Sequence, residues 1–352
     1  MERESASPSV VLQVAPRMAA AAWRAFWKAL FAFACFGVVL AMAGKHPLQA
    51  YVDTAAFVLG TIEGFTELFV RMGPLVMAAL AVAIPARINL FNVGGEGQIY
   101  MGALFATGTA LGLAQYPQGL LLPATIAAGF VGGAAWALIP AAMRLAGVAN
   151  ESITTLLLNY IAPLIVGYAI FGPWRSPESS SYPQSYKLAE GARLAAVPGT
   201  RLHAGLLIAV ACLAVYAYVL HRTRWGLEMR AIGGNATAAL HLGLPVKSYI
   251  VACMALGGGV AGLAGMAEVS AIHGRLVGEI SPGYGYMGFL VAWLAGPSAL
   301  KIVAMAFLFA FISSVGDVLQ ITQGVPFAVV NILMATILFS VLCGGKRSAA
   351  GR

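Results

Sequence analysis

Residues 73–104 read GPLVMAALAVAIPARINLFNVGGEGQIYMGAL. About 13 apolar residues precede Pro85-Ala86-Arg87, which is roughly 20 Å of helix and short of a full bilayer crossing. A polar, glycine-rich cluster follows at Asn92-Val93-Gly94-Gly95-Glu96-Gly97-Gln98, and then the apolar character resumes. Backbone that leaves helical geometry at membrane depth survives only where protein or a water-filled cavity satisfies its polar groups. The stretch therefore predicts a membrane domain containing broken or re-entrant segments.

The rest of the chain agrees. Of its 352 residues, 60% are hydrophobic and only 10% charged, against about 25% charged in soluble domains. Ten apolar spans are predicted, near 24–43, 73–88, 98–115, 121–145, 152–171, 203–220, 248–271, 284–296, 301–319 and 326–343, where a full crossing takes about 20 residues. The 50–70 stretch is apolar but carries Asp53, Glu63 and Glu67; it is expected to lie at the interface. The fold class is an all-α polytopic membrane protein of about ten transmembrane helices, with an inverted repeat and broken or re-entrant segments.

The basic residues set the orientation. With the N-terminus inside, fourteen of the 21 Lys and Arg fall in inner segments and seven in outer ones, so both termini are expected in the cytoplasm. The expected plan is a cytoplasmic tail over 1–23, a membrane domain over 24–343 and a second tail over 344–352. Within the membrane domain, 172–202 is an outer loop and 221–247 an inner one. Ala41-Met42-Ala43 resembles a secretory cleavage site, but nine spans follow it and the apolar run before it is long, which favours an uncleaved first span. The net charge of +8 is scattered between apolar runs and does not point to nucleic acid. Cys35, Cys212, Cys253 and Cys343 lack metal-ligand spacing and read as packed thiols.

The Ser/Pro-rich 173–201 loop is either a contact surface for an external partner or a solvated connector. The 221–247 loop is expected to form two short helices, Trp225–Ala231 and Asn235–Leu242, with Asn235 as N-cap of the second. An internal echo links Gly97–Leu104 with Gly283–Leu290 through a shared Tyr-Met-Gly core. The copies would run in opposite directions, as in inverted-repeat transporters.

Polar residues beside the broken spans are the candidates for a translocation path. Asn92, Glu96 and Gln98 flank the first break. A carboxylate retained in hydrocarbon costs several kcal/mol and faces a cavity or a partner. Glu96 is therefore either a gate or part of a hydrogen-bonded structural corner. Thr155 and Asn159, four apart, share a helix face; they suit a polar, uncharged solute or helix–helix bonding. Glu268, His273 and Asp317 read as interfacial. No catalytic residue, metal site or P-loop is recognisable, since Gly44-Lys45 and Gly345-Lys346 are followed by His46 and Arg347.

Four runs carry a family resemblance: LFNVGGEGQIYMGA (90–103), NESITTLLLNYIA (150–162), TRWGLEMRAIGGNATAALHLGLPV (223–246) and HGRLVGEISPGYGYMG (273–288). In order and spacing they resemble bacterial ABC importer permeases of the nucleoside and simple-sugar group, and more distantly those for ribose and branched-chain amino acids. Gly95 stands where a small Ala is common, and Ser152 and Thr154 vary the usual opening of the fifth span. The resemblance implies a permease subunit in the bacterial inner membrane, paired with a like or different permease. It further implies partner ATPase subunits that bind the ATP, so that the chain needs no cofactor of its own, and a substrate-binding protein outside. Segment 221–247 would be the coupling loop, with Arg230, Gly234 and Asn235 at family-like positions. The resemblance favours a nucleoside over a sugar as solute. The competing readings are an ion-coupled secondary transporter for a small polar solute, which would need midplane ionisable groups, and an assembly protein.

Overall fold

The computed structural model describes residues 44–179 and 182–324, with isolated positions between 34 and 42 and at 332 and 336. The first and tenth predicted spans and both tails lie almost wholly outside these residues. The described residues form helices joined by loops; the extended pairings among them are three isolated bridges, Arg175–Ser185, Gln184–Val277 and Ala196–His203.

The chain divides into two compact units. Residues 1–61 and 312–352 make the first, whose complete described helix is α1 (Pro47–Gly60). Residues 62–311 make the second. It holds α2 (Ile62–Ala86), α3 (Gly95–Gly112), α4 (Gln118–Leu145), α5 (Glu151–Phe171), α6 (Gly205–Arg222), the short α7 (Arg224–Gly234) and α8 (Ala236–His241), α9 (Val246–Ala267) and α10 (Tyr284–Ala295). A π-helical turn over Glu268–His273 extends α9. The last helix, α11 (Ala299–Gln323), begins in the second unit and runs into the first.

Among the described residues, six helices are long and apolar enough to span a membrane: α2, α4, α5, α6, α9 with its π turn, and α11. The other two predicted spans within the described residues are also helices. One is α3, of 18 residues, and the other is α10, of only 12.

Two expectations change. The 50–70 stretch is not one interfacial helix, because it is cut at Thr61 and its second half is the start of α2. Correspondingly, the second span is not short. With Glu63, Glu67 and Arg71 included it runs 25 residues, about 37 Å at 1.5 Å per residue. Two of these charges pair: Arg71 lies 3.1 Å from Glu67, and Arg201 lies 3.4 Å from the same carboxylate; Glu63 is exposed. Pro74 and Pro85 both sit inside this helix.

The core of the second unit is α9. It packs on α4, α3 and α2, with α10 against α2 and α5 against α3. The reason is a run of small residues on α9. A Cβ on Gly262 would lie 2.1 Å from the Gly129 carbonyl of α4, and one on Gly102 of α3 would lie 2.2 Å from the Gly262 Cα. With no hydrophobic force between helices in lipid, such backbone approach is what van der Waals packing rewards.

The 172–204 segment is neither a free connector nor unfolded. Ser185 N–H donates to the Leu276 carbonyl at 2.9 Å, Leu188 N–H to Gly274 at 2.9 Å, and Leu194 N–H to the Ser270 hydroxyl at 3.1 Å. Leu188, Ala192 and Leu194 are buried. The segment is a lid of backbone hydrogen bonds over the π turn and the 274–277 strand-like stretch.

The 221–247 loop forms the two expected short helices. Asn235 caps the second, its side chain accepting from Ala238 N–H at 3.0 Å. Thr223 caps the first in the same way through Gly226 N–H. Gly233 and Gly234, expected to separate the helices, instead finish α7.

Candidate functional site

The polar cluster sits where two chain segments turn back into the bundle from opposite ends. The first, 87–94, leaves α2 at the end that carries the 221–247 loop. It doubles back beside α2 as far as Ala81, whose carbonyl accepts from the Asn92 amide at 3.0 Å. The second, 274–283, descends from the end covered by the 172–204 segment. The helices that follow, α3 and α10, start side by side: a Cβ on Gly95 would lie 3.4 Å from the Gly285 Cα. From there they diverge. Gly108 of α3 approaches Trp174, while the end of α10 reaches Tyr216, whose hydroxyl donates to the Pro297 carbonyl at 3.2 Å.

All five predicted path residues converge on this junction, and none is more than 5% exposed. Asn92 and Gln98 form a reciprocal amide pair at 2.9 and 3.0 Å. Asn92 Oδ1 also accepts from Gly94 N–H at 3.1 Å. Thr155 and Asn159 do share a face of α5, and both reach into the first re-entrant loop. The Thr155 hydroxyl accepts from Val93 N–H at 3.2 Å. The Asn159 amide accepts from Gly97 N–H and donates to the Val93 carbonyl, each at 2.9 Å.

Glu96 occupies the junction of the two helix starts. It lies in the first turn of α3, and its carboxylate accepts from Gly285 N–H of α10 at 2.7 Å. Gly283 N–H and the Ser281 hydroxyl face it as well. A helix N-terminus presents unpaired N–H groups and partial positive charge, so it stabilises a carboxylate. Glu96 is thus an N-terminal anion for the partner helix. Of the two sequence readings, this geometry is that of the structural corner.

Three contributors escaped the sequence. Gly285 is one: a Cβ there would lie 2.0 Å from the Glu96 backbone nitrogen. Glu151, 2% exposed, is another; it accepts from Phe91 N–H at 3.3 Å and pairs with Arg144, which pins the start of the re-entrant loop. Its signal was available, since Asn150 caps α5 through Ser152 N–H and a Glu follows in the first turn. Tyr286, which lies beside Asn159, is the third.

The coupling candidates Arg230, Gly234 and Asn235 lie apart from the cluster, exposed on α7 and at its junction with α8. Arg230 Nε donates to the Gly226 carbonyl at 3.2 Å. Their neighbour Gly233 supplies the link: its own carbonyl accepts from the Asn89 amide, and a Cβ on it would lie 2.2 Å from the Arg87 carbonyl. The end of α7 therefore rests on the first residues of the re-entrant loop.

Replacing Asn159 by Leu would strand Gly97 N–H and the Val93 carbonyl in a buried site. Unmade buried hydrogen bonds cost 1–3 kcal/mol each, so a loss of about 2–4 kcal/mol is expected. It would be read as a lower thermal midpoint of the detergent-purified protein; an unchanged midpoint would mean the cluster does not hold the loop.

A bundle of membrane-length helices, with two re-entrant segments meeting at a buried polar junction, is a membrane transport architecture. Residues 64–342 match the family described as branched-chain amino acid transport system / permease component, and the chain belongs to it. It is similar to the glucose ABC transporter permease protein TsgB13 of Haloferax volcanii, 35% identical over 349 residues, 95% of this chain and 91% of the relative. It is also similar to the nucleoside ABC transporter permease protein NupB of Lactococcus lactis, 27% identical over 321 residues, 89% of this chain and 88% of that one. The guanosine ABC transporter permease protein NupP of Bacillus subtilis is 28% identical over 321 residues, 89% and 90% of the two chains. The chain is a multi-pass membrane protein and the permease component of an ABC transport system, a transport subunit rather than an enzyme.

Proposed function

We propose that this permease imports a nucleoside or a simple sugar by alternating access, driven by ATPase subunits that dock on 221–247 and supplied by a substrate-binding protein at the opposite end. It would work in the inner membrane as one of two permease halves, alike or different. The observation that carries this reading is the seating of α7, through Gly233, on Arg87 and Asn89. A push on the 221–247 loop has a rigid route into the re-entrant segment and its polar junction. The outer surface of the loop also suits docking, with Leu227, Leu240 and Leu242 exposed beside Arg230.

The ten-span plan, both termini cytoplasmic, with 1–23 and 344–352 as tails and 172–202 outside, remains the reading favoured by the distribution of basic residues. An inverted repeat, α2–α3–α4 against α9–α10–α11, is supported by how the Tyr-Met-Gly motifs are used. Gly102 of the first copy packs on α9, and Gly288 of the second packs on Ala78 of α2. Each short helix thus leans on the long helix of the other half. Asn92, Glu96, Gln98, Thr155 and Asn159 would border the path as a fixed girdle that shapes it, their own hydrogen bonds already made. Any ATP belongs to the partner subunits.

The test is reconstitution of the chain with its cassette and binding subunits in proteoliposomes. ATP-dependent uptake of labelled guanosine or glucose is expected, with none by the chain alone; uptake by the chain alone would overturn the reading. Gly234 has open space around it. Gly234→Leu is therefore expected to leave stability within about 0.5 kcal/mol yet to reduce co-purification of the cassette. Equal recovery of the cassette would remove Gly234 from the coupling surface.

A further inference from the structure

The girdle spends its side chains on one another and on the backbone of the re-entrant loop, so an extended surface for a solute must lie beside it. Along α10, Tyr286, Phe289 and Trp293 follow at helical spacing on one face. Tyr286 and Trp293 are 39% and 52% exposed. The rings form a ladder: Phe289 and Trp293 stack with centroids 5.9 Å apart, and Trp293 meets Phe91 of the re-entrant loop at 5.9 Å. The ladder ends in a cavity of about 190 Å3 walled by Val82, Ala83, Phe91, Trp293 and Pro297, with Arg87 at its edge. The Arg87 Nε is buried there and has no hydrogen-bond partner among the described residues.

An apolar helix face in a membrane protein can simply meet lipid. Two observations separate this one. At its start, Tyr286 lies beside Asn159 of the girdle. At its end, Arg87 lines the cavity and its buried Nε has no hydrogen-bond partner among the described residues, and a buried donor without an acceptor is costly. Polar groups at both ends of an aromatic strip describe a site for a flat ring carrying oxygen acceptors. The ring face would stack on the aromatics while an oxygen takes the Arg87 proton donor.

We propose that Tyr286, Phe289, Trp293 and Phe91, with Arg87, form a stacking wall on the solute's route between the girdle and the 221–247 end, selecting an uncharged, ring-shaped solute. This rests on the permease reading above. The wall explains how a path can be selective while its polar girdle is closed to solute. It also places the last contact before release next to the segment that α7 presses upon, so movement of the coupling loop would act directly on Arg87 and Phe91.

The test uses the full transporter in proteoliposomes. Trp293→Cys is expected to react with a membrane-impermeant maleimide, above the background of the native cysteines, in the ATP-free or the vanadate-trapped state. Reaction in neither state would place this face in lipid or at a protein contact and overturn the proposal, whatever the uptake. Trp293→Phe is expected to keep guanosine and glucose uptake within about twofold. Trp293→Leu should lower it about tenfold at limiting solute. Equal uptake by the Leu and Phe variants would also overturn the wall. Failure of the wild-type complex to transport with ATP would instead count against the permease reading.

Discussion

Glu96→Ala is expected to abolish transport by collapsing the junction of the two re-entrant segments. The carboxylate accepts from Gly285 N–H at the start of α10, and Gly283 N–H and the Ser281 hydroxyl lie close to it. Hydrogen bonds to a charged acceptor contribute about 1.5–3 kcal/mol each, and a buried donor left unpaired costs about 1–3 kcal/mol. Removing the common acceptor should therefore cost on the order of 4 kcal/mol, a large part of the 5–15 kcal/mol that keeps a domain folded. Glu96→Gln keeps one oxygen acceptor at the same reach but loses the charge that the helix start favours. It should retain most of the stability and measurable uptake. Thermal midpoints of purified Ala, Gln and wild-type proteins, read with uptake, decide between the two sequence readings of this residue. A gate would lose transport in the Gln variant at unchanged stability. A corner loses both, in graded order, and the geometry supports the corner.

Gly262→Val should be the most damaging single change in the helical core. The new Cβ would start 2.1 Å from the Gly129 carbonyl and crowd Gly133 at 3.0 Å. These neighbours are backbone atoms of α4 and cannot rotate away as a side chain would. Overpacking a well-packed core costs about 1–3 kcal/mol, and occasionally more; with backbone on the far side the upper end or beyond is expected. Helices α9 and α4 would have to separate, and α3, seated on Gly262 through Gly102, would move with them. The result should be loss of folded protein in a size-exclusion profile after detergent extraction. Gly112→Ala is the control, since nothing lies within 4 Å of its added methyl. A normal profile for the Val variant would mean that α9 does not pack as described.

The sequence by itself determined the solvent, the helices and the family. Composition excluded a soluble fold because too few charges exist to cover one. Apolar runs located a helix at each of the eight predicted spans that fall among the described residues, six of them long and apolar enough to cross a membrane, and Asn235 announced the second coupling helix by its capping chemistry. These features are local: a run of apolar residues or a cap has the same meaning wherever it sits. The break before Gly95 was also legible, as a segment that doubles back beside α2, because glycine-rich polar sequence between apolar runs ends one helix and starts another.

Tertiary structure decided what local pattern could not. Glu63 and Glu67 made the 50–70 stretch read as interfacial, yet α2 runs through them, and Arg201, more than a hundred residues later, pairs with Glu67. Asn92, Gln98, Thr155 and Asn159 were found as a polar set, but only their hydrogen bonds reveal that they satisfy one another. Whether a polar group faces a path or a partner depends on atoms far away in the chain. Gly285 took its meaning solely from the approach of Glu96, 189 residues earlier. The aromatic face of α10 read as an ordinary apolar run until packing left it uncovered beside the girdle. Burial is a property of the assembled bundle, so the surface left open to a solute could be read only once the helices were in place.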